Sequence, residues 1–312
     1  PDIITFNEIP KTNAWQMPNW VTAFMPGFYL ATNSGTDGYI RSVIASRFPI
    51  IRSTSWLSHA DLNPFGYTNA NFTRDLFEAE IAVPDWSQPL HVFTTHLKSS
   101  SGGYADAAAK RATEAAAITN FLATNILAQF PPQPFTLSGD MNESDTNTTA
   151  IQELFSAPAT LRLTGPKNPY SNTINTYSIQ GSLTERIDYI FPCTLLVSNI
   201  VSSQVFRTDL LTNLPASLYS NDDKTASDHL PVLMTFANPF TQRYTITDLD
   251  KTNNSVTVKW QSVPGQSYQL ESSTDLTVWT SLATNLTATN YSYTVNTNLT
   301  SPQRFFRVKR MN

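Results

Sequence analysis

The chain has 312 residues, 40% hydrophobic and 12% aromatic, so it can bury a sizeable core and is not intrinsically disordered. No run of 18 apolar residues occurs, which argues against a membrane-spanning helix, and the single cysteine, Cys193, excludes an intramolecular disulfide. Residues 1–240 carry a net charge of −7 and residues 241–312 one of +3 without any basic run, which disfavours tight, non-specific binding to duplex nucleic acid.

The first 240 residues alternate strand-like and helix-like segments, a pattern that predicts a mixed α/β domain. Strands rich in Ile, Val, Phe and Thr are predicted at 2–6, 39–46, 76–83 and 91–96. An Ala-rich amphipathic helix is predicted at 105–129, where Pro131 and Pro132 follow. Further strands are predicted at 135–138, 186–191, 195–206 and 231–236.

Beyond Pro239 the pattern changes to short alternating runs without a helical period, at 244–249, 255–261, 267–272, 291–295 and 305–309. Such runs, separated by turn residues, are typical of a small β-sandwich. Their apolar positions resemble the fibronectin-like modules at the ends of secreted bacterial enzymes. We therefore predict two domains, a main one at 1–238 and an accessory one at 239–312, the latter expected to bind a surface or polymer.

Five short polar clusters lie at the ends of apolar runs, at residues 7–8, 95–97, 139–142, 186–189 and 227–231. Each cluster alone is more typical of a solvated turn than of a catalyst. Together they supply two imidazoles, four carboxylates and a carboxamide, the groups needed to hold a hard cation, orient water and protonate a leaving oxygen. Oxygen ligands favour magnesium or manganese over zinc.

In chain order the clusters read E, THL, GDMN, RIDYI and SDHLPV. This order resembles the endonuclease/exonuclease/phosphatase superfamily, which includes pancreatic-type deoxyribonucleases, sphingomyelinases and inositol phosphatases. The resemblance covers about residues 2–236 and implies a four-layer α/β sandwich, with two central mixed sheets flanked by helices. It also implies a divalent-metal-dependent phosphoester hydrolase.

The resemblance assigns metal-site carboxylates to Glu8 and Asp228, which would hold one or two Mg²⁺ or Mn²⁺ ions. Asp140 and Asn142 match the pair that orients the attacking water and contacts the scissile phosphate. An amide at position 142, unlike another carboxylate, can donate a hydrogen bond to an anionic substrate.

Both imidazoles also have counterparts in the superfamily. His229 matches the catalytic histidine and Asp188 its carboxylate partner, which would orient the ring and favour its charged form. His96 matches the second imidazole, which contacts phosphate or acts as an acid. Arg74 lies where several members place an arginine that contacts phosphate.

The run at 96–102, ahead of Lys110, Arg111 and Ala112, looks most like the exported bacterial members, so we expect a secreted or periplasmic bacterial protein. Two features depart from the superfamily pattern. Asn7 stands where glutamine is usual, and the first strand with its functional asparagine is missing. We expect the sequence to be a fragment, since an open central sheet edge would be costly.

Three functions remain open at this stage. The first is a secreted phosphodiesterase acting on DNA or RNA, and the second is a phosphomonoesterase or lipid phosphodiesterase on the same scaffold. The third is a catalytically silent binding module. The complete set of polar clusters argues against the third, because a silent protein has no physical need for them. The negative charge slightly favours a small phosphate substrate, whereas a centre containing His96 slightly favours diesters.

Overall fold

The computed structural model describes residues 1–100, 103–129, 133–156, 161–216, 218–240, 246–252, 255–262, 265–290, 292–298 and 304–311. Gly102, Pro131, Pro132 and the first residues of the strands predicted at 244–249 and 291–295 lie outside these ranges. The chain divides into two compact units. The first comprises Pro1–Leu127 and Gln133–Pro239, and the second Ala128–Pro132 and Phe240–Asn312.

A five-stranded sheet forms the centre of the first unit. Its strands, in spatial order, are β4 (Ile50–Trp56), β5 (Leu76–Ile81), β6 (Leu90–His96), β7 (Phe135–Asp140) and β8 (Asp188–Pro192). All neighbours are antiparallel except β6 and β7, which are parallel. A parallel pair needs a crossover connection, and helix α2 (Tyr104–Phe121) lies in the segment that connects these two strands.

A second sheet contains β1 (Ile3–Pro10), β3 (Ile40–Ser46) and β2 (Tyr29–Thr32), in that order and all antiparallel. Successive side chains of β6 point to opposite faces of the central sheet. Phe93 contacts Phe121 of α2, with ring centroids 6.2 Å apart, whereas the hydroxyl of Thr94 donates to Asn7 of β1. The central sheet is therefore covered by α2 on one face and by β1 on the other.

The remaining elements of this unit are shorter. Strands β9 (Ile200–Val205) and β10 (Val232–Phe236) form an antiparallel pair. The helices are α1 (Met17–Phe24), α3 (Thr149–Phe155), α4 (Thr194–Val197) and α5 (Asp222–Ala226), with 3₁₀ turns at Ala14–Gln16 and Asn63–Phe65 and a π-helical turn at Leu122–Ile126. None of the helices in the described part of the chain is long and apolar enough to cross a membrane.

The predicted α/β class is confirmed, and the four-layer arrangement stays a prediction. The strand predicted at 195–206 is wrong in its first part, because α4 occupies Thr194–Val197 and β9 begins only at Ile200. Leu195 and Leu196 are both buried, and such a short apolar run fits a buried helix as well as a strand. The predicted helix at 105–129 is regular only to Phe121, where the π-helical turn begins.

The second unit is all β, as predicted. One sheet has the order β11 (Ile246–Thr252), β12 (Ser255–Gln261) and β15 (Ser292–Asn298), and the other β14 (Thr280–Thr287), β13 (Ser267–Ser273) and β16 (Phe305–Met311). Its buried core residues include every second position along β12 and the start of β13, namely Val256, Val258, Trp260, Tyr268 and Leu270. This spacing is expected when the inner faces of two sheets interdigitate. Resemblance to fibronectin-like modules stays a prediction.

A buried carboxylate joins three strands of the central sheet. Glu78 of β5 accepts a hydrogen bond of 2.6 Å from the indole Nε1 of Trp56, and its other oxygen lies 2.5 Å from Nδ1 of His91. Arg52 lies 3.4 Å away. Burial by itself would raise the pKa of Glu78, but the contacts with His91, Trp56 and Arg52 outweigh it and lower the pKa below its ordinary value of 4.5.

We predict that Glu78→Ala lowers the free energy of unfolding by about 3–5 kcal/mol, because it breaks a buried pair and leaves its partners uncompensated. The pKa is lowered in the folded chain, so the carboxylate stabilises the fold above pH 4.5 and this stabilisation is lost as the pH falls through the lowered pKa. Urea unfolding of both proteins between neutral and acidic pH measures the difference.

Glu80→Ala is the matched control, because Glu80 lies on the same strand and pairs with the half-exposed Arg52 at 3.0 Å. It should cost no more than about 1 kcal/mol. Equal losses in the two variants would contradict the role assigned to Glu78.

Candidate functional site

Residues from all five polar clusters surround one cavity of about 460 Å³. Six residues selected from the sequence line it, namely Glu8, His96, Asp140, Asn142, Asp228 and His229. Asp188 lies behind them, in contact with His229. Sequence reasoning missed four other lining residues, namely Glu143, Ser144, Tyr177 and Glu185. Ser99, Ser100 and Ile187 also line the cavity and lie within runs named from the sequence, but no role was assigned to them.

The register of the central sheet places three of the polar side chains next to one another at the ends of their strands. His96 is the last residue of β6 and Asp140 the last of β7, and the two are partners in the parallel register. Asp140 is also the partner of Asp188, the first residue of the antiparallel strand β8. Three adjacent strands therefore present an imidazole and two carboxylates at the same level.

Gly139 permits this close approach of β6 and β7. Its φ angle is +136°, and a Cβ atom at this position would lie 1.9 Å from the carbonyl oxygen of Thr95. Asn142, three residues later, has a φ of +52°, a conformation that asparagine tolerates better than most residues. Its backbone N–H donates to Asp140 Oδ1 at 2.7 Å, and its side-chain Nδ2 donates to the carbonyl oxygen of Leu97 at 3.1 Å.

A β-bulge directs Glu8 into the cavity. Phe6 pairs with Val43 and Ile9 with Arg41, so two residues of β1, Asn7 and Glu8, lie where β3 has one. A bulge redirects a side chain and commonly occurs beside a functional site. Glu8 has a φ of +59°, a strained value for this residue type, and its Oε1 lies 3.8 Å from Nδ1 of His96.

His229 and Asp188 form a close pair. Nδ1 of His229 lies 2.9 Å from Asp188 Oδ2, and the Tyr177 ring packs against the imidazole with centroids 4.9 Å apart. Burial alone would lower the pKa of His229, but Asp188, together with Asp140 and Asp228, raises it to about 9. The ring is therefore an imidazolium at neutral pH. Asp188 engages Nδ1, and Nε2 lies 3.9 Å from Asp228 Oδ1.

His96 differs electrostatically from His229. It is 2% exposed, and burial, followed by the charges of Arg74 and His229, holds its pKa well below 6.5. Its Nε2 lies 3.4 Å from Asp140 Oδ2. Burial and the neighbouring charge of Asp188 raise the pKa of Asp140 to about 7. The two histidines are thus in different states at neutral pH, one neutral and one charged.

Arg74 supports the site from behind rather than facing a substrate. Its Nε and Nη2 contact Asp37 Oδ2 at 3.0 and 2.9 Å. Its Nη1 donates to the carbonyl oxygens of His96 and Leu97, both at 2.9 Å. Arg74 is not among the residues that line the cavity. The geometry therefore favours a positioning role over the phosphate contact predicted from the sequence.

The cavity has carboxylate oxygens of the kind that bind a hydrated hard cation. Glu8 and Asp228 line it with side chains 56% and 52% exposed. Within the described ranges, no group of three or more His, Cys, Asp or Glu side chains converges on a closed metal site. Mg²⁺ is usually held by one or two carboxylates, with water and substrate oxygens completing its shell. The residues present fit that mode of binding.

Comparisons with known proteins establish the fold. No known protein-family profile matches the chain, and neither does any curated protein sequence. Among solved structures, it is similar to the beta toxin from Staphylococcus aureus, with 18% sequence identity and a TM-score of 0.51 over 76% of this chain and 87% of that one.

Two further structures give the same result. For sphingomyelinase C from Streptomyces griseocarneus, the identity is 17% and the TM-score 0.50 over 75% of this chain and 85% of that one. For the human Nocturnin catalytic domain with a bound sulfate anion, the identity is 17% and the TM-score 0.52 over 76% of this chain and 82% of that one. These proteins have a deoxyribonuclease I-like fold, so the similarity supports the α/β fold class expected from the sequence.

We predict that Gly139→Ala destabilises the protein and displaces His96 and Asp140, because the added methyl group collides with the backbone of β6. The positive φ alone costs about 1–3 kcal/mol in a residue other than glycine. The melting temperature measures the effect. Gly165→Ala is the control, since its Cβ would meet nothing within 4 Å, and an equal melting temperature in both variants would contradict the prediction.

Proposed function

We propose that this protein is a divalent-metal-dependent phosphodiesterase in which water attacks the phosphorus in line with the leaving oxygen. The observation that carries the proposal is that the His229–Asp188 pair, the Asp140–Asn142 pair and His96 meet at one cavity. This arrangement combines an oriented imidazolium, a carboxylate beside a neutral imidazole, and an amide donor. Phosphoryl transfer needs little beyond such positioning and charge stabilisation.

Glu8 and Asp228 would hold the cation, Mg²⁺ or Mn²⁺. When bound, it supplies Lewis-acid stabilisation of charge on the phosphoryl oxygens. The left-handed backbone of Glu8 and the bulge that contains it support this assignment, because strain persists where the surrounding structure holds a side chain in a required place.

The remaining side chains have distinct roles in the proposal. One oxygen of Asp140 accepts the N–H of Asn142, so the other, which faces His96, is available to orient the attacking water. Asn142 uses one N–H of its carboxamide on Leu97, and the second can donate to a phosphoryl oxygen. His229 donates from Nε2 to a phosphoryl or leaving oxygen.

The charge of the cavity supports a diester substrate. Five acidic residues line it, namely Glu8, Asp140, Glu143, Glu185 and Asp228, of which Glu143 is paired with the buried Arg111. No lysine or arginine lines it within the described part of the chain. The imidazolium of His229 is the positive group on the wall. A phosphodiester carries one negative charge and a phosphomonoester close to two at neutral pH, so the diester needs less compensation from these residues.

DNA or RNA is the leading substrate in this proposal, and a lipid phosphodiester is the second candidate. The lipid is favoured by large aromatic side chains on the segment that follows Glu8, where Trp15 and Phe24 are each 70% exposed. Hydrolysis of plasmid DNA, single-stranded RNA, phospholipid vesicles and a chromogenic diester, each with Mn²⁺, distinguishes the two. An exported location and surface binding by residues 240–312 remain part of the proposal.

We predict that excess chelator abolishes hydrolysis and that Mg²⁺ or Mn²⁺ restores it, because the carboxylates of the cavity leave a phosphate poorly compensated. Glu8→Gln should raise the metal concentration needed for half-maximal rate. Glu185→Gln removes a carboxylate from the same cavity and should leave that concentration nearly unchanged. Full activity in chelator, or equal metal dependence of the two variants, would show that Glu8 is not a ligand.

We predict that His229→Gln lowers kcat by a factor on the order of 10² to 10⁴, the usual range for positioned acid–base catalysis. Asp188→Asn should also be damaging, because the amide can impose the wrong tautomer on the ring. KM should change much less, since the lost interaction acts mainly in the transition state. His59→Gln, an exposed loop histidine, is the control, and near-parental kcat in His229→Gln would refute the catalytic role.

A further inference from the structure

The crossover helix α2 carries a buried arginine to which the catalytic proposal gives no role. Arg111 is fully buried and is not a lining residue of the cavity. It belongs to the Lys110-Arg111-Ala112 run that follows the loop after β6. A buried guanidinium is costly unless its donors are used, so the groups it contacts indicate what it does.

Arg111 contacts the segment that follows β6 and the segment that follows β7. Its Nε donates to Glu143 Oε1 at 2.7 Å, and Glu143 directly follows Asn142. Its Nη1 donates to the carbonyl oxygen of Lys98 at 2.9 Å, two residues after His96. One rigid guanidinium fork therefore links the segment after β6 to the segment after β7.

A second residue of α2 also contacts the backbone of Lys98. Glu114, also fully buried, accepts the backbone N–H of Lys98 at 3.0 Å and that of Thr73 at 2.8 Å. Positions 111 and 114 are three apart and so lie on one face of the helix. The loop after β6 is thus held at both the N–H and the carbonyl of Lys98.

The Glu143 side of this link is also held at two points. Its side chain is 2% exposed, and its backbone carbonyl accepts the hydroxyl of Tyr189 at 2.9 Å. Glu143 is therefore an anchored partner, and the Arg111 contact transmits the position of α2 to Asn142. A substrate would not meet either charge, since Arg111 and Glu143 neutralise each other inside the wall.

We propose that Arg111 is a positioning residue that sets the distance between His96 and Asn142 across the cavity. The inference rests on the proposed function for its effect on rate. Small displacements of catalytic groups cost rate out of proportion to their size, about 10²-fold for 1 Å. Losing the tie should therefore lower turnover rather than substrate binding.

The test uses the full chain with a chromogenic phosphodiester and Mn²⁺, at a temperature where circular dichroism shows every variant folded. Arg111→Met should lower kcat by roughly 10-fold to 10²-fold with little change in KM. Arg111→Lys should recover part of kcat, because an ammonium group can reach one partner but lacks the fork.

Lys110→Met is the matched control, since it removes the same charge from the neighbouring, half-buried position of α2. Hydrogen–deuterium exchange gives a readout that does not need activity. Residues 96–100 and 140–144 should both exchange faster in Arg111→Met and remain as in the parent in Lys110→Met.

Parental kcat in folded Arg111→Met, with only its melting temperature lowered, would overturn the positioning role. Unchanged exchange in both segments would show that Arg111 does not hold the two segments together. If the parent hydrolyses no phosphoester, the proposed function fails, and the exchange measurement by itself still decides whether Arg111 links the two loops.

Discussion

The parallel pairing of β6 with β7 is the constraint on which the rest of the site depends. It places His96 beside Asp140, and the close approach of the two backbones requires glycine at position 139. A parallel pair also requires a crossover, which here contains α2. The same helix that makes the pairing possible carries Arg111 and Glu114, whose contacts hold the loops at the strand ends.

Charge distribution separates the roles of groups that are alike in sequence. His96 ends one strand and His229 precedes another, yet the pKa of His229 is raised to about 9 and that of His96 is held well below 6.5. Asp188 contacts only the first, and Arg74 acts on the second. Burial raises the pKa of Asp140, and the neighbouring charge of Asp188 raises it further. The structure thus assigns one charged and one neutral imidazole to a single cavity.

Much of the central scaffold could be predicted from the sequence. Strand β6 is buried along its whole length, and its Val, Phe and Thr residues are typical of strands. Strand β4 was missed because its residues 51–53 are exposed and polar in part, so no alternation identifies it. The helix at Thr194–Val197 was missed because two neighbouring buried leucines do not specify a period.

The sequence by itself determined the fold class, the all-β character of the second unit and six of the residues that line the cavity, because strand periodicity and polar residues at strand ends are local signals. Tertiary structure decided the rest. The bulge at Glu8 depends on its pairing with β3, and the ion pair that turns Arg74 away from the cavity depends on a residue 37 positions earlier. Contacts between segments distant in the chain leave no periodic signal, so only the folded structure reveals them.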